Sequence, residues 1–195
     1  MMLAWDWALF QSLNSLAGRW PAFDGLVRLL MNDYALTTAL SALLVVLWFR
    51  GRTPEERQAD HSAAILTIVA LVIAMAVLKG LNLVFFRPRP FTSHDGVRLL
   101  FYHPSDSSLP SNAATVAFVF AIGLGRRSPQ LGALGIALGS LLGLARIVGG
   151  VHYPLDVVTG ALLGAVCVAG VYRCRRPLAP LVRGVRGLAG QLFLA

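Results

Sequence analysis

Residues 62–86 read SAAILTIVALVIAMAVLKGLNLVFF, a run carrying one charge, Lys79. As an α-helix it makes about seven turns, and at 1.5 Å per residue it is long enough to cross the ~30 Å hydrocarbon core of a bilayer. Similar apolar blocks lie at roughly 34–49, 109–125, 129–149 and 153–172. The first two of these are short and need their flanking residues to span. The pattern predicts an all-α fold: a polytopic membrane helix bundle of about five transmembrane helices, forming a single domain over residues 1–195. No linker and no whole-domain repeat interrupts it.

Composition points the same way. Of 195 residues, 56% are hydrophobic and 13% charged, and the mean hydropathy is +0.68. That is too apolar for an ordinary soluble domain. The opening MMLAWDWALFQSLNSLAG has no basic leader and carries Asp6, so it does not read as a signal peptide. Trp5, Trp7, Leu9, Phe10 and Leu13 predict an amphipathic helix lying in the membrane interface. Residues 20–32 predict a second short helix leading into the first span, so residues 1–33 are read as interfacial. Residues 173–195, with five arginines, read as a basic tail on the membrane surface. Cys167 and Cys174 have neither disulfide nor metal-site spacing and read as packing residues.

The formal net charge is +8. No basic stripe with interleaved aromatics lies on a soluble face, which argues against nucleic acid as partner. Arg50, Arg52 and Arg57 fall in the first long loop, Arg126 and Arg127 in the third, and the remaining cluster in the tail. With five spans these regions share one side, and the positive-inside rule makes it cytoplasmic. The N-terminus and loops 87–108 and 150–152 then face outward. Arg87, Arg89 and Arg146 break this pattern. Ionisable groups at membrane depth mark functional sites, and an anionic ligand is the simplest reason for cations here. Snorkelling to lipid headgroups is the structural alternative.

The same outer side holds ARIVGGVHYPLD, residues 145–156. Gly149 and Gly150 end one helix and Pro154 opens the next, placing His152 in the turn between them. Asp156, four residues on, can hold one imidazole nitrogen and leave the other as nucleophile or base. In LPSNAAT, Ser111 is a natural N-cap, and the N–H groups of Asn112, Ala113 and Ala114 are then open to an anion. Arginines, a helix N-terminus and a His-Asp pair suit phosphoryl transfer.

RPRPF at 87–91, PSNA at 110–113 and R-x5-H-x3-D at 146–156 resemble the three motifs of the type 2 phosphatidic acid phosphatase (PAP2) superfamily. HPSDSSLPSN at 103–112 is similar to the undecaprenyl-diphosphatase branch associated with bacitracin resistance. The resemblance implies a membrane enzyme that needs no metal or other cofactor, with its site at the extracytoplasmic surface of a bacterial inner membrane. It implies His152 as a nucleophile forming phosphohistidine and Asp156 as its orienting carboxylate. Arg89 and Arg146 match the family's phosphate-binding arginines and Ser111 its motif serine; Arg87 and Asn112, from the charge pattern and the open helix N-terminus, complete the candidate phosphate-binding residues. The implied partners are membrane lipids, with a polyprenyl diphosphate, undecaprenyl diphosphate first, as substrate and phosphatidic acid, phosphatidylglycerol phosphate or a lipid A phosphate as alternatives.

Two departures matter. The family pattern has a lysine where this chain has Asn82, and Lys79, nearly one turn earlier, is the candidate replacement. The family's leaving-group acid, a histidine, is replaced by Ala113. The resemblance therefore implies either a weakened enzyme or a lipid-phosphate binder without turnover. Ala113, Ala117, Ala121 and Gly125 recur every four residues, as do Gly135, Gly139 and Gly143, two small faces suited to close helix packing. His94, Asp95, His103 and Asp106 share the outer loop, but their spacing does not demand a metal site. A transporter is the third class considered, and no broken mid-membrane helix is read to support it.

Overall fold

The computed structural model describes residues 3–192. All regular elements among them are α-helices: α1 (Ala4–Asn14), α2 (Pro21–Leu30), α3 (Ala35–Phe49), α4 (Pro54–Val84), α5 (Pro90–Ser93), α6 (Asn112–Gly125), α7 (Pro129–Val148), α8 (Pro154–Arg173) and α9 (Ala179–Gln191). Helices α4, α7 and α8 are each long and apolar enough to cross a membrane. Helices α2 and α3 reach that length only together, with a 47° bend between them. Asn32 makes the break: its Oδ1 accepts from the N–H groups of Tyr34 (2.8 Å) and Ala35 (3.2 Å), turning the chain before α3. Helix α6 is apolar but has 14 residues, because the predicted block at 109–125 becomes helical only at Asn112, after the N-cap Ser111.

Helix α4 starts eight residues before the predicted apolar block. Thr53 Oγ1 accepts from the Glu56 N–H (3.2 Å), and the Glu56 carboxylate accepts from the Thr53 N–H (3.4 Å). This capping box, with Pro54 in the first turn, extends the helix through the polar EERQADH. Asp60 is buried there and pairs with Arg127 (2.6 Å) and Arg50 (3.4 Å), tying α4 to the loops at that end.

Helix α6 lies at the centre, packed on α3, α4, α7 and α8. The two small faces interlock: Gly135 lies against Ala121 and Gly139 against Ala117. A β-carbon on Gly135 would sit 2.8 Å from Ala121 Cα, so no larger residue permits this approach. Gly143 departs from its expected row and faces Val157 of α8. On the other side of α6, Gly160 of α8 lies against the Ser111 carbonyl. That contact brings the two helix N-termini together, and the Ser111 N–H donates to the Asp156 carbonyl at 2.9 Å.

Helix α1 does more than rest in the interface. Trp5 and Leu9 are exposed, but Asp6, Phe10 and Asn14 are buried against the bundle. Asn14 donates to the carbonyls of Arg98 and Val148, both at 2.8 Å, joining the outer loop to the end of α7. In the tail, α9 inserts Val182 into a cluster with Ile65, Leu66 and the free, buried Cys167. Cys174 is free and exposed. Residues 1–2 and 193–195, part of the predicted interfacial segment and basic tail, lie outside the described residues.

Candidate active site

Local chemistry builds the turn that carries His152. Gly149 caps α7 and Gly150 follows at φ +86°, the left-handed region open to glycine. The Val151 N–H returns to the Arg146 carbonyl and the Gly150 N–H to that of Ile147, both at 3.1 Å. This is a Schellman termination. Two residues later Pro154 opens α8, and Asp156 in its first turn accepts from the Tyr153 N–H at 2.8 Å. His152 therefore projects from a turn anchored on both sides, with 2% of its surface exposed.

The imidazole is held differently from the sequence expectation. Nδ1 lies 3.0 Å from the Ser108 carbonyl, 3.4 Å from Ser108 Oγ and 3.6 Å from the Asp156 carboxylate. The nearest acceptor is thus a backbone carbonyl, and Asp156 lies beyond ordinary hydrogen-bond reach. Ser108 Oγ donates to Asp156 Oδ2, so the serine stands between the two. Ser108 is fully buried; it lies within HPSDSSLPSN, but nothing in that stretch singles it out as the partner of His152. Nε2 points the other way, 3.3 Å from Arg89 Nη1. Burial lowers the His152 pKa from its ordinary value. Asp156 opposes that shift and the Arg89 charge reinforces it.

A cavity of about 190 Å³ opens beside Nε2, lined by His152, Arg89, Arg146, Asn112 and Ala113 among others. Arg89 is fixed by the Val151 carbonyl (3.0 Å) and by Asp106 Oδ1 (2.7 Å). Arg146 pairs with Asp33 and stacks on Phe101, its Cζ 4.7 Å from the ring centroid. Asp33 also accepts from the Tyr102 hydroxyl at 3.0 Å. Both arginines are 5% or less exposed, whereas the Asp33 and Asp106 side chains are 40% and 44% exposed. The arginines form the floor, and each has a carboxylate at the rim. Asn112 and Ala113, in the first turn of α6, bring N–H groups that have no acceptor within the helix. Asn112 Nδ2 donates to Asp106 Oδ2 at 3.1 Å.

Several expected residues lie elsewhere. Arg87, two residues from Arg89, turns behind His152: Nη1 meets Asp156 Oδ1 at 2.5 Å and Nη2 meets Asp6 Oδ2 at 2.7 Å. It does not line the cavity. Burial disfavours its charge, but Asp6 and Asp156 outweigh that and raise its pKa. Ser111 caps α6, accepting from the Ala114 N–H at 3.4 Å, and is buried without lining the cavity. Lys79 is exposed on α4 and not brought to the cavity. His94 stacks on Trp7 (3.8 Å between centroids) and His103 meets Phe91 edge-on (5.2 Å). Among the described residues no three His, Cys, Asp or Glu side chains are placed to hold a metal ion. The sequence reading missed Asp6, Asp33, Tyr102 and Ser108. Asp6 also accepts from the Leu155 N–H (2.8 Å), capping α8 across 149 positions of sequence.

Residues 63–179, well over half the chain and including Arg89, His152 and Asp156, match the model of the PAP2 superfamily. The chain belongs to the PAP2 superfamily. It is 30% identical over 167 residues to the undecaprenyl-diphosphatase BcrC of Bacillus subtilis, covering 86% of this chain and 82% of that one. The crystal structure of Aquifex aeolicus LpxE superposes with a TM-score of 0.70 at 28% identity, over 88% of this chain and 96% of that one. A transmembrane PAP2-type phosphatidylglycerolphosphate phosphatase from Bacillus subtilis shares the fold, with a TM-score of 0.61 at 20% identity over 90% and 89% of the two chains. Its apolar helices are those of a multi-pass membrane protein, and its fold is that of the PAP2 lipid phosphatases.

Proposed function

We propose that this PAP2 protein hydrolyses a lipid diphosphate, undecaprenyl diphosphate being the favoured substrate, to the lipid monophosphate and phosphate. The observation that carries the reading is the His152 geometry. With the proton on Nδ1, donated to the Ser108 carbonyl at 3.0 Å, the Nε2 lone pair is directed into the cavity beside Arg89. Burial favours the neutral form of that imidazole. Nε2 forms a bond to the terminal phosphorus as the bridging P–O bond breaks, and the lipid monophosphate leaves with the electron pair. Water then attacks the phosphohistidine, releasing phosphate and restoring the imidazole.

Arg89, Arg146 and the first N–H groups of α6 take the charge of the equatorial oxygens. Asp33 and Asp106, at the rim, are displaced or share their arginines as the phosphate enters. The likeness to BcrC supports the choice of a polyprenyl diphosphate. Helices α3 and α6, completed by flanking residues, would bring the spans to five within a single domain over residues 1–195. The arginine distribution supports an extracytoplasmic cavity, and the likeness to bacterial relatives supports the inner membrane as its location.

Ala113 sits in the cavity wall where the family's leaving-group acid belongs. Such an acid contributes about 10²–10⁴-fold. A lipid monophosphate must expel an alkoxide and needs that proton, whereas a diphosphate expels a phosphate monoester that leaves tolerably without it. The chain should therefore be nearly inactive on monophosphates and retain slow diphosphatase activity. The test is phosphate release from a lipid diphosphate and a lipid monophosphate in detergent, comparing the protein with Ala113→His and His152→Ala. Ala113→His should raise the monophosphatase rate by the larger factor, and His152→Ala should abolish turnover even when combined with Ala113→His. Equal gains on both substrates would refute the leaving-group role, and activity surviving His152→Ala would refute the phosphohistidine.

A further inference from the structure

A second polar cavity lies at the end of α6 and α8 remote from His152. It measures about 490 Å³ and is lined by Arg126, Arg173, Arg175, Arg176, Tyr172 and Ala169. Arg126 caps the C-terminus of α6, and the other three arginines lie at the end of α8 and just beyond it. The close α6–α8 packing gathers them. Along α8, at 1.5 Å per residue, this cavity stands ~30 Å from the turn that carries His152.

Three features separate it from an ordinary basic rim. First, among the described residues none of its four arginines is in an ion pair, and no carboxylate lines it. The neighbouring Arg127 and Arg50, in contrast, both pair with buried Asp60. The C-terminal dipoles of α6 and α8 amount to only about half a charge each and cannot balance four guanidinium groups. Second, Arg126 is held in place, its Cζ 4.8 Å from the centroid of the Tyr172 ring. Third, the apolar wall continues away from the charges. Leu162, Val166 and Ala169 are exposed at helical spacing on α8, forming a stripe that runs from the cavity toward mid-membrane.

We propose that this cavity is a binding site for an anionic phospholipid, distinct from the phosphatase site. The phosphate headgroup is held by Arg126, Arg173, Arg175 and Arg176, and an acyl chain lies along Leu162, Val166 and Ala169. Guanidinium groups match phosphate oxygens bidentately, and basic pockets between membrane helices recognise lipid headgroups in this way. The apolar stripe favours a lipid over free phosphate.

Native mass spectrometry of the full chain in detergent tests the site, with phosphatidylglycerol, phosphatidylcholine and inorganic phosphate as separate probes. Working on an Arg89→Ala, Arg146→Ala background strips both cavity arginines from the other site and so lowers its contribution to retention. The combined Arg126→Gln, Arg173→Gln, Arg175→Gln and Arg176→Gln variant should weaken phosphatidylglycerol retention at least about tenfold, with phosphatidylcholine unaffected. Arg183→Gln with Arg186→Gln removes charge from α9 outside the cavity and should change retention less than about twofold. Substitution of the same four arginines by Lys keeps the charge and the fold, and should still lose most of the retention because the planar fork is gone. Equal losses from the α9 pair, or full retention in the lysine variant, would reduce the site to diffuse attraction. Phosphatidylcholine binding as tightly as phosphatidylglycerol would refute the anionic headgroup, and inorganic phosphate doing so would refute the lipid.

Discussion

Asp156→Asn separates two roles that the sequence merges. All the partners of the Asp156 carboxylate are donors: Arg87 Nη1 at 2.5 Å on Oδ1, with the Tyr153 N–H at 2.8 Å and the Ser108 hydroxyl on Oδ2. An amide of the same shape must turn its NH₂ toward one of them. The site is fully buried, so water cannot relieve the mismatch. Breaking a buried ion pair from one side costs about 3–5 kcal/mol. Arg87 keeps Asp6 at 2.7 Å and its side chain is 16% exposed, so the low end applies. A loss of about 3 kcal/mol corresponds to a fall in unfolding temperature of roughly 6–12 °C for a chain of this size.

Thermal unfolding in detergent, followed by tryptophan fluorescence, reads this directly. Arg87→Gln and the double variant complete a cycle in which the two losses should be strongly non-additive. The rate should fall less than in His152→Ala, because the Ser108 carbonyl still holds Nδ1. An Asp156→Asn variant unfolding within about 2 °C of the parent but losing nearly all activity would refute the reasoning and make Asp156 the direct orienter of the imidazole.

Arg89→Ala and Arg146→Ala should each weaken vanadate binding, since both line the cavity, whereas Arg87→Ala should lower the unfolding temperature and leave vanadate binding nearly unchanged. Burial lowers the His152 pKa, so the acid limb of the rate profile, traced by phosphate release against pH, should lie below the ordinary imidazole range. The sign for stability follows: with the folded value below the unfolded one, the neutral ring's contribution is present above the unfolded pKa and lost as pH falls through the folded one. An unfolding temperature that rises with acidification through that window would contradict it. An Asp95→Cys variant should react with a membrane-impermeant thiol reagent in intact cells, and labelling only after lysis would reverse the proposed orientation.

The sequence by itself determined what depends on near neighbours in the chain. The apolar runs identify α4, α7 and α8 because crossing a bilayer demands length and hydrophobicity together. Ser111, Gly150 and Pro154 punctuate the helix ends through their own backbone chemistry, so the turn holding His152 and the open N-terminus of α6 were legible as local structure. The small rows on α6 and α7 likewise announced a close contact, though not that Gly143 would turn to Val157. Tertiary structure alone decided which charges meet. Arg87 and Arg89 are nearly indistinguishable in RPRP, yet one locks Asp156 to Asp6 and the other enters the cavity. Asp33 reaches Arg146 across 113 positions, and Ser108 reaches His152 across 44. No local pattern encodes these pairings. They follow from how closely α6 packs on α7 and α8, and from where α1 and the bent α2–α3 pair then lay their polar residues against that core.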